Sequence, residues 1–177
     1  HGAQVDVQQL FLDYTLDVFG RIGFAQEFNS LVEPSEFGKA FDWLQLHIEH
    51  ESRDPLLRIR SDPEFDARYD FIHDFLARLI PANKESGHYA DKNDLLSRFM
   101  TLETDAGEMH SVKWLQDIAF NMLIAGRDTT ALTSMWLFFC LSEHVEVEEK
   151  VLEEVDALSE VTYDSVNRNM PYLDRVL

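Results

Sequence analysis

Apolar residues recur every three or four positions along much of the chain, which is the spacing of an amphipathic α-helix. The first such run predicts a helix from Val5 to about Ile22 that fades at Gly20 and Gly23. Its apolar stripe consists of Val7, Leu10, Phe11, Tyr14, Val18 and Ile22. The beginning of the sequence therefore indicates a helix with one hydrophobic face.

Two further helices are marked by residues that can cap an N-terminus. Ser35 precedes a helix that ends before Pro55, with the stripe Phe37, Ala40, Phe41, Leu44 and Ile48. Asp62-Pro63-Glu64 supplies a cap, a first-turn proline and a first-turn acid for a third helix, which Pro81 is expected to end. Its apolar residues are Phe65, Tyr69, Ile72, Phe75, Leu76 and Leu79.

A polar linker over 82–92 follows the third helix. A short helix around Leu95, Leu96, Phe99 and Met100 and a turn at Asp105-Ala106-Gly107 come next.

A long apolar stretch then runs from Val112 to about Ser142 without a proline, with Ser111 as its cap. As a helix it would span about 45 Å. Its centre holds the polar residues Asn121, Arg127, Asp128, Thr129 and Thr130. A charge pair at that place would be costly in lipid, so the pattern favours a core helix surrounded by other helices over a membrane span.

The last quarter of the sequence continues the helical pattern. An acidic first turn at Glu146, Glu148 and Glu149 starts a helix whose apolar stripe is Val147, Val151, Val155 and Leu158. Helical spacing begins again at Leu173, Val176 and Leu177. No strand pattern and no internal repeat is visible. The predicted fold class is therefore all-α, built around one long central helix.

The composition of the chain limits the kinds of partner and metal site that it could have. The 177 residues contain 15 Lys and Arg against 33 Asp and Glu, a formal charge of −18, which argues against nucleic acid. With 45% hydrophobic residues the chain is not a disordered acidic tail. The single cysteine, Cys140, excludes an internal disulfide and a closed thiolate zinc site. His47, His50 and Glu51 are interpreted as a solvated helix face, so no metal site is predicted.

The polar break in the long helix is where chemistry is expected. Ala125 and Gly126 flatten one side of the helix, so a bulky planar group could approach the backbone. The hydroxyl of Thr129 falls beside that patch, and the neighbouring acid Asp128 could deliver protons in a dry interior. The alternative is that Gly126 only permits tight helix packing, while Arg127 and Asp128 reach solvent or a local salt bridge.

The sequence Ala125-Gly126-Arg127-Asp128-Thr129-Thr130 resembles the oxygen-activation motif of cytochrome P450, the haem-thiolate monooxygenases. Asp117-Ile118 and Asn121 precede it as in the branch that hydroxylates fatty acids at the chain end. Three other segments resemble that branch in the right order: 12–17 with Ile22-Gly23-Phe24, 144–151, and 170–173. The resemblance covers nearly the whole chain and implies the helical core of that fold.

The resemblance also implies roles for the motif residues. Ala125 and Gly126 would face the haem and its bound dioxygen, with Thr130 as a supporting neighbour. Thr129 would donate a hydrogen bond to that oxygen, and Asp128 would pass protons through ordered water to promote O–O cleavage.

The whole enzyme implied by the resemblance would hydroxylate an apolar substrate such as a fatty acid, held near the iron by Phe120 and Ile124. It would use dioxygen and electrons that a reductase takes from NADPH. Its expected place is the cytosolic face of the endoplasmic reticulum membrane, reached through an N-terminal anchor that this sequence does not show.

The sequence departs from the family pattern in several places. Cys140 lies inside the long helix without a glycine-bearing loop, so it is interpreted as a buried structural thiol and not as the haem ligand. No Glu-x-x-Arg motif occurs, and Val145 stands where a proline is usual. Residues 1–177 are therefore expected to be a partial single domain, the central segment of a larger one, that neither binds haem stably nor catalyses alone.

Two alternatives of other classes stay open. One is a non-catalytic helical interaction module that binds a partner through its acidic helices. The other is a truncated gene product without activity.

Overall fold

The computed structural model describes residues 4–53, 62–85, 93–104 and 107–177. Within these ranges the chain is helical, and an isolated antiparallel bridge between Glu103 and Met109 is the only β pairing. The all-α prediction is confirmed. The chain divides into two units, His1–Ala131 and Leu132–Leu177, and each is described by itself.

The first unit contains α1 (Val7–Phe24), α2 (Glu36–Arg53), α3 (Pro63–Glu85), α4 (Leu95–Met100) and the first part of α5 (Val112–Glu143). The caps proposed for α2, α3 and α5 are all present. Ser35 Oγ accepts from the Gly38 amide, Asp62 Oδ1 from the Phe65 amide, and Ser111 Oγ from the Trp114 amide. Short polar side chains therefore set these starts.

The second unit contains the rest of α5 together with α6 (Val145–Asp156), α7 (Tyr163–Asn169) and α8 (Leu173–Val176). A capping box between Thr162 and Ser165 opens α7. The carboxylate of Glu154 accepts hydrogen bonds from the amides of Tyr172 and Leu173, which fixes the start of α8 against α6.

Aromatic rings fill the core of the first unit, where α2 packs on α3 and α1 on α4. Phe37 of α2 lies 4.9 Å from Phe28 and 4.8 Å from Phe75 of α3, between ring centroids. Phe41 meets Phe120 of α5 edge to face at 5.8 Å. This cluster joins α2, α3 and α5 through large apolar surfaces, the dominant source of stability in such a core.

The helix predicted at the start of the chain is present, but a different face of it is buried. The residues of α1 that lie in the core are Thr15, Leu16, Phe19, Gly20, Gly23 and Phe24. Val7, Leu10, Tyr14 and Ile22 of the predicted stripe are exposed. Both faces of α1 are apolar, so periodicity alone could not tell which one the other helices cover.

The expected end of the third helix was wrong. Helix α3 continues through Pro81 to Glu85 and takes the first residues of the predicted linker. A proline removes one backbone donor and crowds the preceding turn, and a packed helix tolerates this loss close to its end. The remainder of that linker, and Asp105 and Ala106 of the predicted turn, lie outside the described residues.

Helix α5 has the predicted bounds within a residue, but the described helices cover one side of it and not its whole circumference, as the expectation of a surrounded helix required. Its buried residues form one line at four-residue spacing: Leu115, Ala119, Leu123, Arg127 and Ala131. Trp136, Phe138 and Phe139 are each more than half exposed. No helix in the described part of the chain is long and apolar enough to span a membrane.

Two side-chain expectations also need correction. Cys140 is exposed on α5, not a buried thiol, because the last turns of this helix are poorly covered. His50 is exposed as expected, but His47 is half-buried: its ring stacks on Trp43, and its Nε2 lies 3.4 Å from Asp62 and 3.5 Å from Glu51. No cluster of metal-ligating side chains occurs among the described residues.

Candidate functional site

The centre of α5 has an open side and a packed side. Asn121, Ile124, Ala125 and Thr129 are exposed and lie on neighbouring turns. The Thr129 hydroxyl donates a 2.7 Å hydrogen bond to the carbonyl of Ala125, as its position four residues later allows. The structure therefore brings the small side chain of Ala125 and the hydroxyl of Thr129 together on the open side.

Gly126 belongs to the packed side. A Cβ built on this residue would lie 2.6 Å from two ring carbons of Phe19 of α1, which is far inside van der Waals contact. Gly23 of α1 contacts the same ring, also at 2.6 Å from an ideal Cβ. Phe19 thus sits between two glycines, and the bare side of Gly126 admits a protein ring, as the packing alternative expected.

Arg127 is the largest fully buried side chain of the chain's described part. Its Nη1 lies 2.5 Å from Asp42 of α2 and 3.3 Å from Asp128, and its Nε donates to the carbonyl of Leu12 in α1. The guanidinium also lies over the ring of Phe41 at 5.4 Å. Arg127 therefore does not reach solvent. It joins α5 to α1 and α2 through charge-assisted hydrogen bonds.

Asp128 lies beside this buried cation. Burial raises the pKa of its carboxyl above the usual aspartate range, and the negative charge of Asp42 raises it further. The Arg127 guanidinium and a hydrogen bond from Gln45 oppose that rise in pKa without cancelling it. A carboxyl group in such surroundings keeps its proton to higher pH than a surface aspartate, which suits an acid that gives and regains protons.

The predicted residues are thus placed unevenly. Ala125 and Thr129 share the open side, Thr130 is exposed beside them, Asp128 lies toward α2, and Gly126 packs on α1. Sequence reasoning missed Asp42. The signal for it was Arg127 itself, since a cation in an apolar helix needs a carboxylate partner, but 33 acidic residues were available to supply it.

A family model described as "Cytochrome P450" matches residues 1–177. The chain belongs to the cytochrome P450 family. Among curated relatives, cytochrome P450 704B1 and cytochrome P450 94C1, both from Arabidopsis thaliana, are 29% and 31% identical to it. Each match covers 97% of this chain and 37% of the relative. The chain thus spans little more than a third of the length of these relatives.

Solved structures show the same fold. The crystal structure of the cytochrome P450DA heme domain superposes with a TM-score of 0.82 at 24% identity, covering 99% of this chain and 37% of that one. A second crystal structure, of the cytochrome P450 named CYP102L1, gives 0.76 at 18% identity. Both likenesses establish the helical architecture of a cytochrome P450, which confirms the predicted fold.

Haem is the cofactor of this family, and the open side of α5 fits a flat apolar group. Ala125 leaves room for a planar ring, Ile124 adds apolar surface, and Thr129 adds a hydroxyl. Gly126 offers its backbone but not its Cβ side, which Phe19 occupies. Cys140 lies in the last turn of α5, so its setting differs from the glycine-bearing loop expected around a haem thiolate.

Proposed function

We propose that this chain is the central helical segment of a haem-thiolate monooxygenase and that α5 supplies its oxygen-activation residues. The observation that carries the proposal is the pairing of an open side, formed by Ala125 and Thr129, with the half-buried acid Asp128 on the same turn. Membership of the cytochrome P450 family supports it. Residues 1–177 would then form one part of a larger domain.

Haem, when bound, would supply the activation of dioxygen, with electrons from NADPH delivered by a reductase. Ala125 keeps the approach to the helix free of bulk, and the backbone of Gly126 lies one residue further along. Thr129 holds a proton on Oγ1 at the open side. Asp128 holds a proton on its carboxyl and returns it through water, and Thr130 supports the same turn.

The proposed substrate is an apolar molecule such as a fatty acid, hydroxylated near its chain end. Ile124 is 38% exposed on the open side, and the half-buried Phe120 packs between Phe41 and His73. Ile124 would offer apolar surface next to Ala125, and Phe120 lies one turn earlier along α5. The proposed setting of the whole enzyme is the cytosolic face of the endoplasmic reticulum membrane, where such substrates partition.

Replacing Thr129 by Ala in the full-length enzyme tests the role of the hydroxyl. Product formed per NADPH consumed should fall about tenfold or more, since a positioned proton donor contributes at least that much. Thr101→Ala is the matched control, because Thr101 also bonds a backbone carbonyl, that of Arg98, but lies outside the site. Equal coupling in the two variants would overturn the assignment.

We further propose that the isolated 177-residue chain neither holds haem natively nor catalyses, in contrast to an independent acidic interaction module. The exposed side chains of Trp136, Phe138 and Phe139 support this, since large apolar groups on a surface favour association. Haem titration followed by Soret absorbance, together with light scattering, tests it. A monodisperse chain with a thiolate-type haem spectrum would contradict the proposal.

A further inference from the structure

The charge balance around Arg127 is unusual for a protein interior. The side chain is 0% exposed, and its Nη2 has no hydrogen-bond partner among the described residues, while Nη1 bonds both Asp42 and Asp128. A buried guanidinium with an unbonded N–H is costly, and each carboxylate near it offsets part of the free energy lost when the charge leaves water.

The charged groups that face this cation come from three helices. Helix α2 contributes Asp42, helix α5 contributes Asp128, and helix α1 contributes Asp13. Burial raises the pKa of Asp13, and the charges of Asp42 and Arg127 act on it in opposite directions. Gln45 of α2 adds a neutral amide that bonds Asp128. One buried guanidinium nitrogen therefore bonds two acids, Asp42 and Asp128, while Asp13 lies within reach of their charges.

We propose that Arg127 and Asp42 are positioning residues for Asp128: Arg127 orients its carboxyl, and Asp42 competes for the same guanidinium and so ties the proton affinity of Asp128 to the position of α2. The inference rests on the proposed function only for the role of Asp128 in proton delivery. The link itself is a property of the folded chain, because the three side chains come from α2 and α5 and meet at one nitrogen.

The arrangement makes the two positions act in opposite directions. Neutralising Asp42 removes a repelling charge from Asp128 and leaves Arg127 to pair with Asp128 alone, so the pKa of Asp128 falls. Neutralising Arg127 removes the attracting charge and leaves two acids side by side, so the pKa of Asp128 rises. Simple loss of packing would not produce opposite shifts.

The experiment follows the Asp128 carboxyl by infrared spectroscopy in the full-length protein, with Asp128→Asn identifying its C=O band. Asp42→Asn should move the midpoint of this band to lower pH, and Arg127→Gln should move it to higher pH. Arg127→Lys should restore part of the shift. Glu49→Gln is the control for α2, since Glu49 pairs with Arg53 at the surface and should leave the midpoint unchanged.

If Arg127→Gln does not fold, the Asp42→Asn variant alone decides, because Asp42 is partly exposed and asparagine has the same shape. A midpoint unmoved by Asp42→Asn, or moved equally by Glu49→Gln, overturns the proposal. Turnover separates it from the proposed function. If Asp128→Asn leaves the coupling and the pH profile of turnover unchanged, the proton-delivery role fails, while opposite shifts of the carboxyl band would still establish the link.

Discussion

Replacing Gly126 by Ala tests the contact that holds α5 against α1. The new Cβ would lie 2.6 Å from two carbons of the Phe19 ring, and Phe19 is only 5% exposed, so the ring cannot swing into solvent. Overpacking of this kind costs about 1–3 kcal/mol. Alanine gains about 1 kcal/mol over glycine inside a helix. The net expectation is a loss of about 1 kcal/mol in the free energy of unfolding.

Urea denaturation of the full chain, followed by circular dichroism, measures this loss. The slope of the transition should stay unchanged, since the surface exposed on unfolding is the same. Phe19→Leu in the Gly126→Ala background should recover stability, because the smaller side chain vacates the space of the new methyl group. The double-mutant cycle should give a coupling of about 1 kcal/mol between the two positions.

Gly38→Ala of α2 is the matched control. Its Cβ would lie 3.0 Å from the end of the Leu16 side chain and 3.1 Å from the Ser35 hydroxyl, two side-chain contacts that shifts of a few tenths of an ångström relieve. This variant should be near neutral or more stable. A gain in stability for Gly126→Ala would mean that Phe19 does not occupy the space beside Gly126. It would refute the assignment of this glycine to helix packing.

Four further outcomes follow from single contacts. The Cys140 thiol is exposed, so it should react with an aromatic disulfide in native buffer about as fast as in urea. A much slower reaction in native buffer would mean that the thiol is buried, as the sequence had suggested. Asp94→Ala removes a buried cap that accepts from the Ser97 amide and hydroxyl, so unfolding free energy should fall by about 1–2 kcal/mol, whereas the exposed cap Asp6→Ala should cost less. Glu154→Ala should speed hydrogen exchange at the Tyr172 and Leu173 amides, and Glu153→Ala should not. Because the folded-state pKa of Asp128 lies above its unfolded value, folding stability should fall as pH rises from about 4 through the folded pKa, and Asp128→Asn should flatten that slope in urea titrations.

Helix α5 has an open side and a packed side at the motif 125–130, so both interpretations of the motif, helix packing and chemistry, apply to it. Gly126 serves helix packing, as its contact with Phe19 demonstrates, while Ala125 and Thr129 stay accessible one turn apart. A glycine in such a motif can therefore meet a structural need and still leave its neighbours free for chemistry. The two uses divide the circumference of the helix between them.

Local sequence determined most of the elements of this protein. The caps Ser35, Asp62 and Ser111 act within three residues of themselves, so the starts of their helices could be predicted. The six-residue motif at 125–130 likewise spans less than two turns of one helix, and its spacing alone placed Thr129 over Ala125. These features depend on backbone geometry that every helix shares.

Tertiary structure decided which faces are covered and which charges meet. Periodicity could not choose between the two apolar faces of α1, because the choice depends on the bulk of Phe19 and the absence of a side chain at Gly126, 107 positions away. Nor could it pair Arg127 with Asp42, which lies 85 residues earlier. Burial and ion pairing depend on several helices together, so they cannot be predicted from the sequence of one helix alone.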